Sequence, residues 1–347
     1  MNKKQNIALT WGKTWGHIFP LFSIYNYLKN NDKYDFVWVW EENSLEEEIA
    51  LKNNIKFLDI PAWKIRRYFD LRNFYEPLKN LTWIFYWIYY ILKYKIDIVF
   101  SKWGYVSLPL CIAAFILRKK IYIHESDISW GIANKIIWII ANKIFYTFPN
   151  DKIDWEKHIL TWQILNSELI DYITDVKITE NEKLSIIVIW WSQWSTTIFN
   201  ALLKLLPDLK DINFQVILWE KNIHLKNDFQ KFINVQTYEF VTQKELGRIL
   251  KNTDIAITRW WATTIWELNM FWIHSIIIPL SHSAWNHQML NAKYFKEKFQ
   301  SDILDETHNL ELELFRKIKL YKDLRKSWLN LDNFFLPLKI IKKEIKK

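Results

Sequence analysis

Short apolar runs alternate with longer segments of helical periodicity along the first half of the chain. The strand-like runs cover residues 6–10, 36–39, 96–100, 120–123 and 144–147. The helix-like segments cover residues 19–30, 44–53, 109–117 and 132–141. Strands that alternate with helices in this way favour a doubly wound parallel sheet with helices on both faces.

The same rhythm restarts after a polar stretch at residues 166–183. Strand-like runs follow at 184–189, 214–218, 235–238, 255–258 and 275–278. Helix-like segments follow at 196–206, 244–251, 263–271 and 288–298. The pattern predicts an α/β protein with two tandem Rossmann-like domains, 1–160 and 161–325, and a final helix in 326–347 that packs back on the first domain. Because open α/β sheets bind ligands outside the carboxyl ends of their strands, the loops there are the candidate sites.

Tryptophan stands along this pattern where glycine is expected. The chain has 22 tryptophans and 5 glycines in 347 residues, whereas an average glycine usage of about 7% predicts roughly 24 glycines. The tryptophans lie in pairs or beside glycine, as in Trp11–Gly12, Trp15–Gly16, Trp103–Gly104, Trp130–Gly131, Trp190–Trp191 and Trp260–Trp261. These places resemble strand-to-helix turns, where a left-handed backbone or close backbone approach favours glycine.

We hypothesise that one codon, UGA, is translated here as tryptophan where the source organism reads glycine. The alternative is a tryptophan-rich enzyme whose indoles fill the core or stack on ligands. Core tryptophans are expected on apolar helix faces, whereas these residues cluster at turns. The pattern therefore favours the glycine hypothesis.

The net charge of +9 leaves three classes of partner: nucleic acid, an anionic membrane and phosphorylated substrates. The sequence has no zinc-ligand spacing and no nucleic-acid motif, so we expect neither a metal site nor a nucleic-acid partner. The one cysteine, Cys111, lies in an apolar run and fits a reducing compartment. The N-terminus enters a strand at once and has no long apolar core, so no secretion signal is expected.

The most apolar segment, residues 81–92, has 12 residues, whereas a membrane-spanning helix needs about 20. Lys79, Lys93 and Lys95 flank it, and a separate part of the net positive charge lies at Lys64, Arg66 and Arg67. Such flanking charge is typical of a helix that lies on an anionic membrane surface. An ordinary core helix is the alternative, and the sequence leaves both open.

Six loops carry the candidate chemistry. They cover residues 10–17, 101–109, 124–131, 190–195, 259–267 and 286–292. With tryptophan read as glycine, the first becomes TGGKTGGH and the fourth GGSQGS. Backbone N–H groups of such loops can hold a phosphate at a helix N-terminus.

Side chains in these loops supply further functions. His17 is placed either to accept a proton from a sugar hydroxyl or to cap a helix. His124 and Glu125 form either a site pair or a pair that fixes their own loop. Glu267, inside the helix that follows its loop, is placed to bind two ribose hydroxyls. The polar side chains placed to contact a diphosphate or a sugar are Ser192, Gln288 and Asn291.

Together the rewritten loops carry a family resemblance. The series TGGKTGGHIFP, SKGGYVSLP, HESDISGGIANK, GGSQGS, RGGATTIGE and NHQMLNA resembles the MurG family of glycosyltransferases, glycosyltransferase family 28, from Thr10 to Ala292. The resemblance implies a GT-B fold with an interdomain cleft and a metal-independent hexosyltransferase without a cofactor. It implies a role in peptidoglycan synthesis, and hence in cell-wall biogenesis, cell shape and cell division.

The resemblance also implies the substrates and the place of action. N-acetylglucosamine would pass from UDP-GlcNAc, with inversion, to the C4 hydroxyl of undecaprenyl-diphospho-MurNAc-pentapeptide (lipid I), giving lipid II. The enzyme would lie peripherally on the anionic surface at the cytoplasmic face of the cell membrane. Two alternatives are a glycosyltransferase for another lipid, such as diacylglycerol, and a non-catalytic protein if the written tryptophans are real.

Matching positions carry the family's site residues into this chain. His17 and Glu125 are the catalytic candidates. The implied substrate-binding residues are Thr14, Trp15, Gly16, Asp127, Asn166, Ser192, Val241, Ala262, Thr263, Thr264, Ile265, Trp266, Glu267, Gln288 and Asn291. Among them, Val241 matches a backbone contact to uracil, and Glu267 a ribose contact. Two positions depart from the family, because Asp127 stands where the family has Asn, and Asn166 where it has Arg.

Overall fold

The computed structural model describes residues 4–11, 15–40, 45–59, 72–102, 107–128, 132–149, 156–169, 183–189, 196–218, 220–280, 287–299, 301–323 and 336–346. The chain divides into two compact units. The first comprises Met1–Ile164 and Leu336–Lys347, and the second Leu165–Phe335. Among the helices within these described ranges, none is both long and apolar enough to cross a membrane.

The first unit contains a seven-stranded parallel sheet in the order β3-β2-β1-β4-β5-β6-β7. Its strands are β1 (Gln5–Trp11), β2 (Tyr34–Trp40), β3 (Lys56–Asp59), β4 (Ile96–Lys102), β5 (Lys120–Glu125), β6 (Lys143–Tyr146) and β7 (His158–Leu160). Its helices before the second unit are α1 (Trp15–Leu28), α2 (Leu45–Lys52), α3 (Arg72–Lys93), α4 (Ser107–Ile116) and α5 (Ile132–Ile140). The strand order reverses beside β1, which places a topological switch point between β1 and β4.

The central strands of this sheet are apolar because helices cover them. Ile98, Val99 and Phe100 of β4 have no exposed surface. On α3, Trp87 and Ile91 are likewise fully buried in the same core. The apolar segment 81–92 is therefore part of a longer helix that contributes one face to the core, as the core-helix alternative predicted.

The second unit contains a six-stranded parallel sheet in the order β10-β9-β8-β11-β12-β13. Its strands are β8 (Ser185–Ile189), β9 (Asn213–Ile217), β10 (Val235–Tyr238), β11 (Ile255–Thr258), β12 (His274–Ile277) and β13 (Ser301–Ile303). Its helices are α6 (Thr196–Leu205), α7 (Lys226–Phe229), α8 (Gln243–Lys251), α9 (Ala262–Met270), α10 (His287–Lys298) and α11 (Leu310–Leu320). The two parallel sheets confirm the predicted α/β fold class of two Rossmann-like domains.

One glycine of the second unit has a clear steric reason. A Cβ added at Gly247 of α8 would lie 2.5 Å from the carbonyl oxygen of Leu169. That oxygen belongs to a 3-10 turn, Ser167–Leu169, against which α8 packs. Any larger residue would have to push the turn away, so this glycine is required by close packing.

The last helix, α12 (Leu336–Ile345), belongs to the first unit. Leu338, Ile341 and Ile345 are buried in the core of that unit. Glu344 of the same helix lies 3.6 Å from the Lys143 ammonium at the start of β6. The C-terminal helix α12 is therefore part of the first unit and packs into its core.

Candidate active site

The carboxyl edge of the first sheet holds a buried lysine. Lys102, the last residue of β4, is 0% exposed, and its Nζ lies 3.4 Å from Nδ1 of His124 on β5. Burial removes water from the ammonium and lowers the Lys102 pKa to about 7, while the charges of Glu125 and Asp127 oppose that shift. A lysine that is buried in this way has either a functional role in a site at this edge or a purely structural role.

His124 links that lysine to the segment that leaves the sheet. Its Nε2 lies 3.2 Å from the carbonyl oxygen of Trp162. Because a carbonyl oxygen only accepts, Nε2 carries the proton and donates it to Trp162. In the neutral ring Nδ1 is then an acceptor, and the Lys102 ammonium donates to it.

Glu125 uses its carboxylate to fix its own loop. Its Oε1 accepts the backbone N–H groups of Ser126 at 2.9 Å and Asp127 at 3.1 Å. The Thr147 hydroxyl lies 3.0 Å from the Glu125 carbonyl oxygen. Glu125 is itself buried. This geometry matches the loop-fixing alternative for Glu125, whereas its predicted catalytic role and the binding role of Asp127 stay predictions.

The carboxyl edge of the second sheet holds a buried acid. Glu267 lies in the second turn of α9 and is 5% exposed. Desolvation by burial raises the Glu267 pKa to about 8, so the free carboxyl is mostly protonated at neutral pH. A protonated carboxyl both donates and accepts a hydrogen bond, which suits a pair of sugar hydroxyls.

The start of α9 offers backbone donors near this acid. Its N-cap, Trp261, has extended backbone angles and no side-chain hydrogen bond to the first turn. Free N–H groups and the helix dipole at such an end favour an anion. Within the first two turns Thr264, Ile265 and Trp266 are buried and Thr263 is half-buried, so these predicted residues shape the helix start.

An ion pair that the sequence analysis did not identify holds this edge together. Arg259 follows β11, and its Nη2 lies 2.6 Å from a carboxylate oxygen of Glu306. Nη1 lies 3.3 Å from the carbonyl oxygen of Ile278 and 3.4 Å from that of Pro279. The guanidinium thus joins the carboxyl ends of β11 and β12 to the loop after β13. The sequence feature that could have indicated this ion pair is an arginine directly after an apolar, strand-like run.

Two more predicted residues lie in well-defined surroundings in the second unit. Val241 is buried next to Thr242, which caps α8 through a reciprocal pair of hydrogen bonds with Glu245. Asn166 is fully buried, and its Oδ1 accepts the Glu168 N–H at 3.0 Å to open the turn at 167–169. Within the ranges that the structure describes, Asn166 Nδ2 has no hydrogen-bond partner. The side-chain N–H group of Asn166 is therefore a hydrogen-bond donor that none of the described residues accepts from.

The other predicted site residues are only partly described, or not at all. Thr14 and Ser192 lie outside the described residues, with the loops around them. Trp15, Gly16 and His17 lie in the first turn of α1, Ala262 at the start of α9, and Gln288 and Asn291 in α10. The structure does not describe the side chains of these helical residues. Lys64, Arg66 and Arg67 also lie outside the described part of the chain.

The described residues contain no group of three or more histidine, cysteine, aspartate or glutamate side chains that could hold a metal ion. Among the described residues at the two carboxyl edges, Lys102 and Arg259 contact neighbouring side chains, and Glu267 is buried.

The first unit also carries an exposed apolar surface. It consists of Phe85, Tyr89 and Leu92 on α3, Phe115 and Ile116 on α4, and Ile136 and Ile139 on α5. Right-handed crossovers place these three helices on one face of the sheet, and α4 contacts both α3 and α5. Phe85 is 71% exposed and Ile139 is 77% exposed. The segment 81–92 is therefore amphipathic, with Trp87 buried and this surface facing out.

Two tryptophans have a backbone conformation that favours glycine. Trp162 has φ 65° and Trp272 has φ 54°, both in the left-handed region. A bulky side chain there is strained, which supports the hypothesis that glycine belongs at these positions.

Other tryptophans near the second edge are accommodated differently. Trp260 and Trp266 are buried, with their rings 5.1 Å and 5.0 Å from the ring of Phe295. The fold thus accommodates these two indoles by packing them against Phe295. Nevertheless, among the described residues the Trp260 indole N–H has no hydrogen-bond partner, which is uncommon for a buried donor.

Comparisons with known proteins cover both units. The glycosyltransferase family 28 N-terminal domain matches residues 7–146, and the glycosyltransferase family 28 C-terminal domain matches residues 186–328. A Clostridium botulinum (strain Alaska E43 / Type E3) protein is 31% identical over 340 residues, which cover 95% of this chain and 93% of that protein. A Clostridium kluyveri protein is 32% identical over 328 residues, which cover 92% of each chain. Both relatives are named UDP-N-acetylglucosamine--N-acetylmuramyl-(pentapeptide) pyrophosphoryl-undecaprenol N-acetylglucosamine transferase.

Solved structures share the fold at lower sequence identity. MurG of Acinetobacter baumannii has a TM-score of 0.76 and 18% identity, with 99% of this chain and 100% of that chain covered. The UDP-GlcNAc 2-epimerase of Methanocaldococcus jannaschii has a TM-score of 0.66 and 11% identity, with 99% and 100% covered. At these identities the structural likeness concerns the fold alone.

Proposed function

The chain belongs to glycosyltransferase family 28, and we propose that it transfers N-acetylglucosamine from UDP-N-acetylglucosamine to lipid I, an undecaprenyl-diphosphate-linked sugar. The observation that carries this function is the match of both family domains, in order, together with relatives named for this reaction across almost the whole chain. The membership confirms the resemblance of the loop motifs. The enzyme is thus a UDP-GlcNAc-dependent hexosyltransferase of peptidoglycan precursor synthesis.

The proposed reaction is a single displacement at the anomeric carbon. The C4 hydroxyl oxygen of the acceptor sugar forms a bond to C1 of N-acetylglucosamine. The bond between C1 and the β-phosphate oxygen breaks, and its electron pair leaves with UDP. The hydroxyl proton passes to a base of the protein. Attack opposite the leaving group inverts C1 and gives the β-1,4 linkage of lipid II.

We assign the donor nucleotide to the carboxyl edge of the second sheet. Glu267 is the proposed partner of the two ribose hydroxyls, and its burial beside the start of α9 supports that role. The α9 N-terminus would stabilise the negative charge that develops on the leaving diphosphate. Ser192 is the further proposed diphosphate contact, Val241 the uracil contact, and Gln288 with Asn291 the contacts to the donor sugar.

We assign the acceptor to the first unit. His17, in the first turn of α1, is the proposed base, and the loops after β1, β4 and β5 would hold the acceptor diphosphate. These loops follow neighbouring strands of one parallel sheet, so they end at the same edge. Glu125 and Asp127 shape the third of them through the hydrogen bonds of the Glu125 carboxylate.

A lipid-linked acceptor requires the enzyme at a membrane surface. The exposed apolar surface on α3, α4 and α5 is our proposed docking face, and Lys93 lies beside it at the end of α3. Apolar side chains would enter the headgroup region while lysines meet anionic lipid. The enzyme would then act peripherally at the cytoplasmic face of the cell membrane.

Transfer by the protein purified from its native cells tests the function. We expect radiolabelled N-acetylglucosamine to move from UDP-GlcNAc to a lipid I analogue, unaffected by a metal chelator. Diacylglycerol vesicles and an assay without acceptor are the controls. Transfer to diacylglycerol with none to the lipid I analogue would overturn the proposed acceptor, and absence of transfer to either would overturn the proposed enzyme.

A further inference from the structure

A chain of polar contacts crosses the carboxyl edge of the first sheet. Lys102 at the end of β4 contacts His124 on β5 at 3.4 Å. His124 contacts the carbonyl oxygen of Trp162, after β7, at 3.2 Å. Lys102 and His124 are both fully buried. Three parts of the sheet edge are therefore joined by side chains that are far apart in the sequence.

The segment that receives these contacts is the last part of the first unit before the chain enters the second. We call residues 161–163 the exit segment, since the unit boundary follows Ile164. The Thr161 hydroxyl also lies 3.1 Å from the Trp162 carbonyl oxygen. The side-chain amide of Gln163 lies 3.1 Å from the hydroxyl of Thr147, which itself contacts the Glu125 carbonyl oxygen at 3.0 Å. The exit segment is thus held from two points on the sheet edge.

The chemistry of these contacts specifies the role of the lysine. A neutral histidine that donates from Nε2 leaves Nδ1 as an acceptor, and Lys102 is the donor that Nδ1 faces. With that donor in place, the imidazole is held in one tautomer and one orientation. Without it, Nδ1 loses this donor, and Lys102 no longer fixes the orientation in which the ring donates to the Trp162 carbonyl. A buried lysine is a costly way to fill space, which argues for such a specific task.

We propose that Lys102 is a positioning residue for the transfer reaction, acting through His124 to hold the exit segment at the carboxyl edge of the first sheet, where we assign the acceptor. This inference rests on the proposed function of the first unit. The contact to Trp162 uses only its backbone carbonyl, so the role is the same whether tryptophan or glycine stands there. The lowered pKa of Lys102 fits a donor that burial has removed from water.

A matched set of variants tests this role. Lys102→Met removes the donor but keeps the length of the side chain, and Lys102→Gln restores a neutral donor. Lys143→Met removes a lysine from the amino end of the same sheet and serves as the control. We measure kcat per UDP-binding site, the dissociation constant for UDP, and the ¹⁵N signals of the His124 ring.

We expect Lys102→Met to lower kcat per UDP-binding site by on the order of tenfold or more. UDP affinity should stay unchanged, because the residues assigned to the nucleotide lie in the second unit. The His124 Nδ1 signal should move toward that of an imidazole without a donor, and Lys102→Gln should recover part of kcat. Lys143→Met should match the wild type in kcat and UDP affinity.

Unchanged kcat per site in Lys102→Met, or an unmoved His124 signal, would overturn the proposal. If Lys102→Met does not fold, Thr147→Val provides the second route, because it releases Gln163 of the same segment without removing a charge. Thr147→Val should lower kcat per site in the same way, and an unchanged kcat would contradict the role of the exit segment. A wild type that shows no transfer would overturn the proposed function, while the His124 signals would still report on the contact with Lys102.

Discussion

The carboxyl edges of the two sheets differ in the buried group whose pKa is strongly shifted, a lysine at the first edge and a glutamate at the second. The first edge buries Lys102, whose pKa falls to about 7, and the second buries Glu267, whose pKa rises to about 8. Burial is the main cause in both cases, because water is removed from whichever form is charged. Two units with the same architecture therefore hold different groups at equivalent edges: a buried lysine whose pKa is lowered and a buried glutamate whose pKa is raised.

The difference lies in what surrounds each group. Lys102 already contacts His124 and is influenced by the charges of Glu125 and Asp127, so it belongs to an internal network. For Glu267, desolvation by burial is the cause of the shift. A protonated carboxyl in such a site can both donate a hydrogen bond to a ligand hydroxyl group and accept one from it. We therefore assign positioning to Lys102 and direct ligand contact to Glu267.

The largest expected effect is on donor binding at the second edge. Glu267→Ala should lower kcat/KM for UDP-GlcNAc by about 100-fold or more, because two hydrogen bonds to the ribose are lost and the other site groups stay buried. Steady-state kinetics with UDP-GlcNAc varied, and calorimetric titration with UDP, measure the loss. Glu313→Ala, in an exposed ion pair on α11, is the control and should bind UDP normally. If Glu267→Ala binds UDP with wild-type affinity, Glu267 does not contact the ribose, and the proposed difference between the two edges is wrong.

Opposite pH slopes of stability should follow from the two buried groups. Between pH 4.5 and about 8 the folded state keeps a proton on Glu267 that the unfolded chain has lost, so stability falls as pH rises. Between about 7 and 10.5 the unfolded chain keeps a proton on Lys102 that the folded state has lost, so stability rises with pH. The expected slope is at most about tenfold in the unfolding equilibrium per pH unit for each group.

Urea unfolding of matched variants over this pH range measures these slopes. Glu267→Gln should become progressively more stable relative to the wild type as pH rises toward 8. Lys102→Met should become progressively less stable relative to the wild type as pH rises above 7. Variant and wild-type curves that stay parallel across pH would show that neither group titrates as its burial requires.

Membrane docking of the first unit should show a smaller effect, of several-fold. Replacing Phe85 and Ile139 together by serine removes two exposed apolar side chains, each of which contributes a fraction of the about 1.5–3 kcal/mol of full burial. Sedimentation with anionic phospholipid vesicles should show correspondingly weaker binding. Ile233→Ser, at a fully exposed position in the second unit, should bind vesicles like the wild type. An equal loss of vesicle binding in both variants would show that the docking face does not lie on α3 and α5.

The smallest expected effect concerns the strained tryptophans. Trp162→Gly and Trp272→Gly should each raise the free energy of unfolding by about 1 kcal/mol, because glycine adopts the left-handed backbone without a steric cost. Trp87→Gly, in the core of the first unit, should instead lower it by about 3–5 kcal/mol. Chemical unfolding of the three variants provides the comparison. A loss of stability at Trp162 and Trp272 similar to that at Trp87 would indicate that those indoles are native packing.

The fold was largely predictable because long apolar strands and helices repeat regularly. Strands β3, β7 and β13 were not predicted, because they have only three or four residues and carry too little pattern. The start of α1 was predicted at residue 19, whereas the helix begins at Trp15, in a stretch rich in glycine and tryptophan. Local composition there hides the helix, since glycine and tryptophan are poorer helix formers than alanine or leucine.

The candidate site was predictable only where a side chain belongs to a local motif. Glu267 stands out because it follows a phosphate-loop pattern by a fixed number of residues. Lys102 lies in the loop motif at residues 101–109, but its proposed positioning role depends on His124. That residue is 22 positions away, and the parallel pairing of β4 and β5 brings it beside Lys102. Arg259 likewise acquires its role from Glu306, on a loop 47 residues later. Such long-range pairs need the folded sheet.

The tryptophans connect both edges to the central claim, that this chain works as a family 28 transferase whose phosphate loops contain glycine. Tryptic peptides of the protein from its native cells test this most directly, over residues 158–177 and 260–293. We expect masses with glycine at positions 162, 260, 261, 266 and 272, each lighter by the difference between a tryptophan and a glycine residue. Masses with tryptophan at these positions would contradict the claim, because bulky indoles would then be native where a diphosphate is proposed to bind.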